Sequence, residues 1–168
     1  MSGFLLDTSA LSAYLNEDHP HHAAAVATID GLPAEAAKFV SIITLAELDY
    51  GIRFAELQNS THLPEYRARL AIIRQYASLD LTRHTSAAYA ELKVLLASHM
   101  LRKPKKKMPR WIEDWVIAAS AKRLQIDEDD LWICAQAKER DLTVVTGDVD
   151  IKRLASLDPE LKVLLSRT

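Results

Sequence analysis

Four acidic residues, Asp7, Glu47, Asp130 and Asp148, stand where short apolar runs stop or helical patterns begin. Asp7 closes Phe4-Leu5-Leu6 and opens Thr8-Ser9-Ala10-Leu11, the pattern of a strand that ends on a carboxylate and turns into a helix. Glu47 lies in Ile42-Ile43-Thr44-Leu45-Ala46-Glu47-Leu48, Asp130 precedes Leu131-Trp132-Ile133-Cys134-Ala135, and Asp148 follows Val144-Val145-Thr146-Gly147. Acids at strand ends and helix starts can converge on one rim of an α/β sheet, the rim where such sheets bind ligands. Two carboxylates roughly 4 Å apart repel by about 4 kcal/mol at an effective dielectric of about 20. Protons or a divalent cation must relieve that. An all-oxygen donor set favours Mg²⁺ or Mn²⁺ over zinc. Such an ion lowers the pKa of a water and stabilises charge on a phosphoryl oxygen.

Each acid also has an ordinary structural use. Aspartate at position 7 suits a helix N-cap. Thr44-x-x-Glu47 reads as a capping box, with Glu47 bonding back to the Thr44 backbone. Asp130 follows Asp127-Glu128-Asp129, and acids are favoured at the positive end of a helix. Asp148 follows a glycine, as turn residues do. Asp129 and Asp114 compete with Asp130 for the third position, and Asp150 with Asp148 for the fourth.

The elements that must carry these residues alternate. Strands are expected at 3–6, 39–42, 79–81, 142–145 and 161–165. Helices are expected at 8–16, 19–29, 44–58, 64–76, 86–101, 111–124 and 129–140. The alternation implies an α/β fold, a central parallel sheet flanked by helices. The 168 residues read as one domain, 1–168, with no linker long enough to divide it. The segments 114–122 and 130–138 echo one another, as two similar amphipathic helices would.

The 21 basic and 23 acidic residues leave a formal charge of −2, so any nucleic-acid contact must come from a local patch. Arg102-Lys103-Pro104-Lys105-Lys106-Lys107-Met108-Pro109-Arg110 is such a patch, a proline-broken loop suited to phosphates. The lone Cys134 cannot form an internal disulfide. Asp7 interrupts the N-terminal apolar run too early for a secretory signal, and no stretch reaches the roughly 20 apolar residues of a membrane span. The expectation is a soluble cytoplasmic protein with no membrane association. His19, His21 and His22 do not share one helix face and read as a solvated helix start. Trp111, Trp115 and Trp132 read as packing residues rather than base-stacking ones.

Taken in order, Phe4 through Ser9, Ser41 through Gly51 and Asp130 through Asp148 resemble the PIN-domain ribonucleases. Within them they resemble the VapC toxins of bacterial toxin–antitoxin systems. The resemblance spans nearly the whole chain and rests on the ordered set of motifs rather than on any single one. It implies a PIN-like fold, a Mg²⁺- or Mn²⁺-dependent endoribonuclease acting on RNA, a homodimer and a small cognate antitoxin. Asp7, Glu47, Asp130 and Asp148 match the family's acidic positions, and Thr8 and Thr146 its hydroxyl neighbours. The enlarged segment ahead of Asp130, with Glu113 and Asp114, departs from the simplest family pattern. A surplus of apolar positions over 8–16 and 44–58 fits a dimer or antitoxin surface. The alternatives are a metal-dependent nuclease of DNA or structured junctions, and a cleavage-dead RNA-binding protein.

Overall fold

Short apolar runs bounded by long amphipathic ones build a sheet covered on both faces. The computed structural model describes residues 3–101, 109–117, 119–120 and 122–167. Along them the chain runs β1 (Phe4–Leu6), α1 (Thr8–Tyr14), α2 (His22–Asp30), β2 (Lys38–Ser41), α3 (Ile42–Leu57), α4 (Leu63–Ile73) and β3 (Ala77–Leu79). It continues with α5 (Arg83–Met100), a 3₁₀ turn at Ile112–Asp114, α6 (Glu128–Glu139), β4 (Thr143–Thr146), α7 (Val149–Ala155) and β5 (Lys162–Leu165).

All strand pairs are parallel, in the order β3-β2-β1-β4-β5. The chain steps outward from β1 to β3, then returns to the other side of β1 for β4 and β5. The strand order therefore reverses between β1 and β4. The connections that leave there diverge and open a crevice at the carboxyl edge. Leu6 pairs with Val40 on one side and Val145 on the other, so the residue after it, Asp7, sits at the sheet's centre.

Side chains alternate across β1, as strand geometry requires. Leu5 joins Leu92, Leu96, Leu131, Val144 and Ile151 on one face. Phe4 and Leu6 join Ala10, Leu11, Ile29, Val40 and Val145 on the other. Burial on both faces is why β1 reads as an unbroken apolar run. Truncating Leu5 or Leu6, each fully buried, removes about 2–5 kcal/mol by the usual cost of a core cavity.

Several boundaries differ from the sequence expectation, and one element is absent. β3 begins two residues early. α2 begins at His22, which leaves His19 and His21 in the preceding turn. α7 was not anticipated. Its seven residues bury only Ile151 and Leu154, too few for a clear helical stripe. The helix expected over 111–124 does not form. After the 3₁₀ turn, Val116 bridges Arg123 antiparallel, with Ile117 N donating to Lys122 O at 2.8 Å and Leu124 N to Trp115 O at 2.8 Å. Ile112, Trp115, Leu124 and Ile126 are buried while Val116 is half exposed, a pattern that a folded-back loop satisfies and a single helix face does not. The echo of 114–122 in 130–138 is thus a likeness of composition, since the described residues of the first are not helical beyond the 3₁₀ turn and the second lies in α6. Among the described residues no helix is long and apolar enough to cross a membrane. Cys134 is fully buried in the core.

Candidate active site

β1 delivers Asp7 to the crevice, where it is 2% exposed. Its Oδ1 accepts from Thr8 N at 2.7 Å, which caps α1. Its Oδ2 accepts from Ser9 Oγ at 2.7 Å and from Thr146 Oγ1 at 2.8 Å. Asp7 N donates to Val145 O at 2.9 Å, tying the turn to β4. A carboxylate held by three donors is fixed in direction, and Thr146 on β4 supplies one of them across the strand reversal.

Glu47 comes from α3. The helix begins earlier than expected, at Ile42, and its N-cap is Ser41, whose Oγ accepts from Ile43 N at 2.9 Å. The anticipated Thr44–Glu47 capping box is therefore absent. Thr44 is buried inside the first turn, and Glu47 turns toward α1, where its Oε2 accepts from the Thr8 hydroxyl. Thr8 Oγ1 also lies 3.1 Å from Thr44 Oγ1. Burial pushes the Glu47 carboxyl up to about 6, against the Thr8 hydrogen bond, and the charges of Asp129, Asp7 and Asp127 add to the rise.

Asp130 sits in the first turn of α6. Asp127 is the N-cap, and the two exchange a reciprocal pair: Asp130 N donates to Asp127 Oδ1 at 2.9 Å, and Asp127 N to Asp130 Oδ2 at 3.2 Å. Burial raises the Asp130 carboxyl to about 8, reinforced by the charges of Asp127, Asp7 and Asp148. Asp148 caps α7, accepting from Asp150 N at 2.7 Å, while its own N donates to Thr146 Oγ1 at 2.9 Å. Burial and the charges of Asp150 and Asp7 raise its carboxyl, while the Asp150 backbone N–H and Arg167 oppose the rise.

The fold thus sets Asp7 in the field of each of Glu47, Asp130 and Asp148, and Asp148 in the field of Asp130. Thr8 and Thr146 stand between them. The alternates separate. Asp129 belongs to the rim, raised by burial and by Asp127, Glu113 and Glu128, so Glu113 approaches from the segment ahead of α6. Asp150 is turned to Arg153 at 2.8 Å. Asp114 enters none of these shifts. Each of the four carboxylates is engaged by nearby hydroxyls or backbone N–H groups, and among the described residues no three acidic, histidine or cysteine side chains are gathered as ligands of one ion.

Sequence reasoning missed Ser9, which donates to Asp7, lies 3.1 Å from Thr146 Oγ1 and accepts from Gly147 N at 2.9 Å. The adjacent Asp7-Thr8-Ser9 hydroxyls were the available signal. A Cβ at position 147 would stand 3.4 Å from Ser9 Oγ, an ordinary contact, so the approach does not depend on glycine there. Of the three tryptophans, Trp115 is buried and Trp132 stacks on Tyr89 with centroids 4.0 Å apart, whereas Trp111 is exposed. Residues 102–108 of the basic run, the expected phosphate contact, lie outside the described residues.

A narrow apolar groove of about 260 Å³ runs alongside the acids between α1, α3 and α4. Leu11, Leu15, Leu48 and Ile52 form its walls, with Glu47 and Arg69 among its lining residues. The neighbouring surface of α3 exposes Tyr50, Phe54 and Leu57, the first two stacked at 6.0 Å.

Comparison with known proteins bears on this geometry. The PIN domain family matches residues 4–157. Among solved structures, VapBC2 from Rickettsia felis, bound to a DNA fragment from its promoter, aligns with a TM-score of 0.66 at 21% identity, covering 96% of this chain and 97% of that one. VapBC-5 from Mycobacterium tuberculosis, a toxin–antitoxin system member, aligns at 0.61 and 24% identity over 100% of both chains. VapC20 from the same organism, a Sarcin-Ricin loop cleaving toxin, aligns at 0.55 and 14% identity over 90% of this chain and 94% of that one. No curated protein matches the chain.

Proposed function

The chain belongs to the PIN-domain family, and from that premise we propose that it is a metal-dependent endoribonuclease, the toxin of a toxin–antitoxin pair. The observation that carries the reading is the rim itself: Asp7 after β1, Glu47 on α3, Asp130 on α6 and Asp148 before α7 gather at the strand reversal, and the last three are pushed upward by burial and by the charge of Asp7. A rim in that state favours a divalent cation, and its donors are all oxygens, as Mg²⁺ or Mn²⁺ prefers. Asp7, Glu47, Asp130 and Asp148 would hold the ion once Asp130 and Asp148 release their backbone partners. When bound, it supplies a Lewis acid for phosphoryl oxygens and for the attacking water.

The chain's own residues do the positioning. Thr8 orients Glu47, and Thr146 and Ser9 orient Asp7, so two of the carboxylates are aimed before any ligand arrives. The pairing of β1 with β4 sets Thr146 beside the start of α1, which carries Thr8 and Ser9. RNA as the substrate is supported by the alignment with the Sarcin-Ricin loop cleaving VapC20. A cognate antitoxin is supported by the VapBC complexes among the neighbours and by the groove between α1, α3 and α4. An amphipathic segment of a small antitoxin suits that groove. The exposed Tyr50, Phe54 and Leu57 stripe suits a homodimer contact.

Purified protein incubated with total RNA should cleave it in Mg²⁺ or Mn²⁺ and stop on chelation. Asp7→Asn should lower the rate at least about a thousand-fold, the scale of losing a group that acts in the transition state. Cleavage that survives chelator, or survives Asp7→Asn at full rate, removes the proposal. DNA digested as fast as RNA would reassign the substrate.

A further inference from the structure

A second cleft lies beside the acids, and the chemistry above does not use it. It opens between α1, the turn before α2, the loop after β4 and the end of β5, with a volume of about 380 Å³. His19, His21, Gly147, Asp148, Ser166 and Arg167 line it. Ser166 is fully buried, and its Oγ has no hydrogen-bond partner among the described residues. A buried hydroxyl without a partner carries an uncompensated desolvation cost that a water or a ligand in the cleft removes. The residue itself is well placed, since Ser166 N donates to Thr146 O at 2.8 Å. Its hydroxyl is thus held one strand away from the acids.

Two further donors face the same space. His19 Nδ1 accepts from His21 N at 3.1 Å, so the imidazole proton lies on Nε2, which is left to donate. The Arg167 guanidinium stands close enough to Asp148 to oppose the rise in its carboxyl. Gly147 N is committed to Ser9 Oγ at 2.9 Å, which fixes the wall between the cleft and the acids. A guanidinium, an imidazole N–H and an orphaned hydroxyl around one cleft form an anion site, and a planar guanidinium suits phosphate oxygens in particular.

We propose that this cleft holds the backbone phosphate next to the one that is cut, through Arg167, His19 Nε2 and the Ser166 hydroxyl. The assignment rests on the nuclease reading. Phosphates recur along a nucleic-acid strand at short intervals, so a strand that reaches the acids brings a neighbouring phosphate to an adjoining site. Asp148 forms the boundary, and its charge confines the anion to the Arg167 side. The cleft also accounts for His19 and His21, which lie outside α2 and need no metal.

The test uses the full chain in metal-free buffer, titrated with inorganic phosphate and then with a 5′-phosphorylated diuridylate. Nuclear magnetic resonance follows the His19 and His21 rings and the Gly147 and Ser166 amides. These signals should move saturably and together. Arg167→Gln, at an exposed position, should weaken both ligands at least about fivefold without changing thermal unfolding, since an Arg–phosphate contact is charge-assisted and strong. Ser166→Ala should weaken them less. Unchanged affinity in Arg167→Gln, or shifts confined to other surfaces, overturns the proposal. The same preparation is assayed on total RNA with Mg²⁺. Cleavage without a phosphate response in the cleft overturns the cleft alone. Absence of cleavage removes the nuclease reading and this proposal with it.

Discussion

Glu128 and Asp130 stand two residues apart in the first turn of α6, and the protein treats them in opposite ways. Glu128 is neutralised from within. Lys93 Nζ lies 2.5 Å from its Oε1, the Tyr89 hydroxyl donates to its Oε2, and Ile112 N donates to Oε1 at 3.1 Å. Burial pulls the Lys93 ammonium down, yet Glu128 and Tyr89 outweigh it and hold it above its ordinary range. Among the described residues Asp130 has no such cation. Its neighbours are Asp127, Asp7 and Asp148, and its carboxyl is pushed up to about 8. One acid fastens the 109–115 segment to α5 and α6; the other is left with its charge unanswered. A buried carboxylate without a counter-charge is a cost that folding alone does not reward, and it points to a ligand that supplies the charge.

The contrast can be broken by substitution. Glu128→Ala should destabilise the protein by about 1–3 kcal/mol in urea unfolding, because it leaves the buried Ile112 N–H without its acceptor and the half-buried Lys93 without its counter-charge. Asp130→Asn should act the other way in metal-free buffer, adding about 1–3 kcal/mol near pH 8 after allowance for its partial exposure. If both substitutions move stability in the same direction, the two acids are not the opposites described.

The pH dependence sharpens the same point. Asp130 and Glu47 have folded pKa values near 8 and 6, above their ordinary carboxylate values. The folded state therefore binds their protons more tightly than the unfolded chain does. That contribution is complete below about pH 4 and is lost as pH rises through 6 and then 8. Metal-free protein should thus lose stability from these groups between about pH 4 and pH 8, and Asp130→Asn should flatten the decline. Mg²⁺ should raise the melting temperature more at pH 8 than at pH 5 in the parent, and little in Asp130→Asn. A Mg²⁺ effect that is equal at both pH values would count against an ion on these acids.

The smallest effect should come from a pair at the surface. Lys162 and Asp141 lie 2.5 Å apart, with side chains 49% and 83% exposed. Asp141→Asn removes this ion pair but keeps a residue tolerant of the positive φ of 55° found there. Stability should change by less than about 1 kcal/mol, the range for exposed pairs. A loss as large as that of Glu128→Ala would mean that burial is not what separates these interactions.

Much of the site could be read from residue order. Phe4-Leu5-Leu6-Asp7 is a strand that must stop at a carboxylate, and its apolar run is dictated by burial on both sheet faces. Val144-Val145-Thr146-Gly147-Asp148 shows the same grammar, and the α6 pattern after Asp130 is equally plain. What could not be read is what each acid touches. Thr44-x-x-Glu47 has the form of a capping box, yet Ser41 takes the cap because β2 runs into α3 without a loop, and Glu47 is released to meet Thr8. Residues 111–124 have helical composition, but Glu128 and Pro109 O claim the Ile112 N–H and the Trp115 indole and hold the segment as a loop. Local propensity is a weak preference, and long-range hydrogen bonds override it.

The chain's own order of residues determined the alternation of strands and helices, the two-faced core and the placement of candidate acids at strand ends and helix starts, because period and hydrophobicity are local properties. Tertiary structure alone decided that β4 returns beside β1, which sets Asp148 next to Asp7 across 141 positions of chain. It also decided that Glu128 receives a cation from Lys93, whereas Asp130 lies in the fields of Asp127, Asp7 and Asp148. The physical reason is that electrostatic energy depends on distance and burial, and neither quantity exists until the strands have paired.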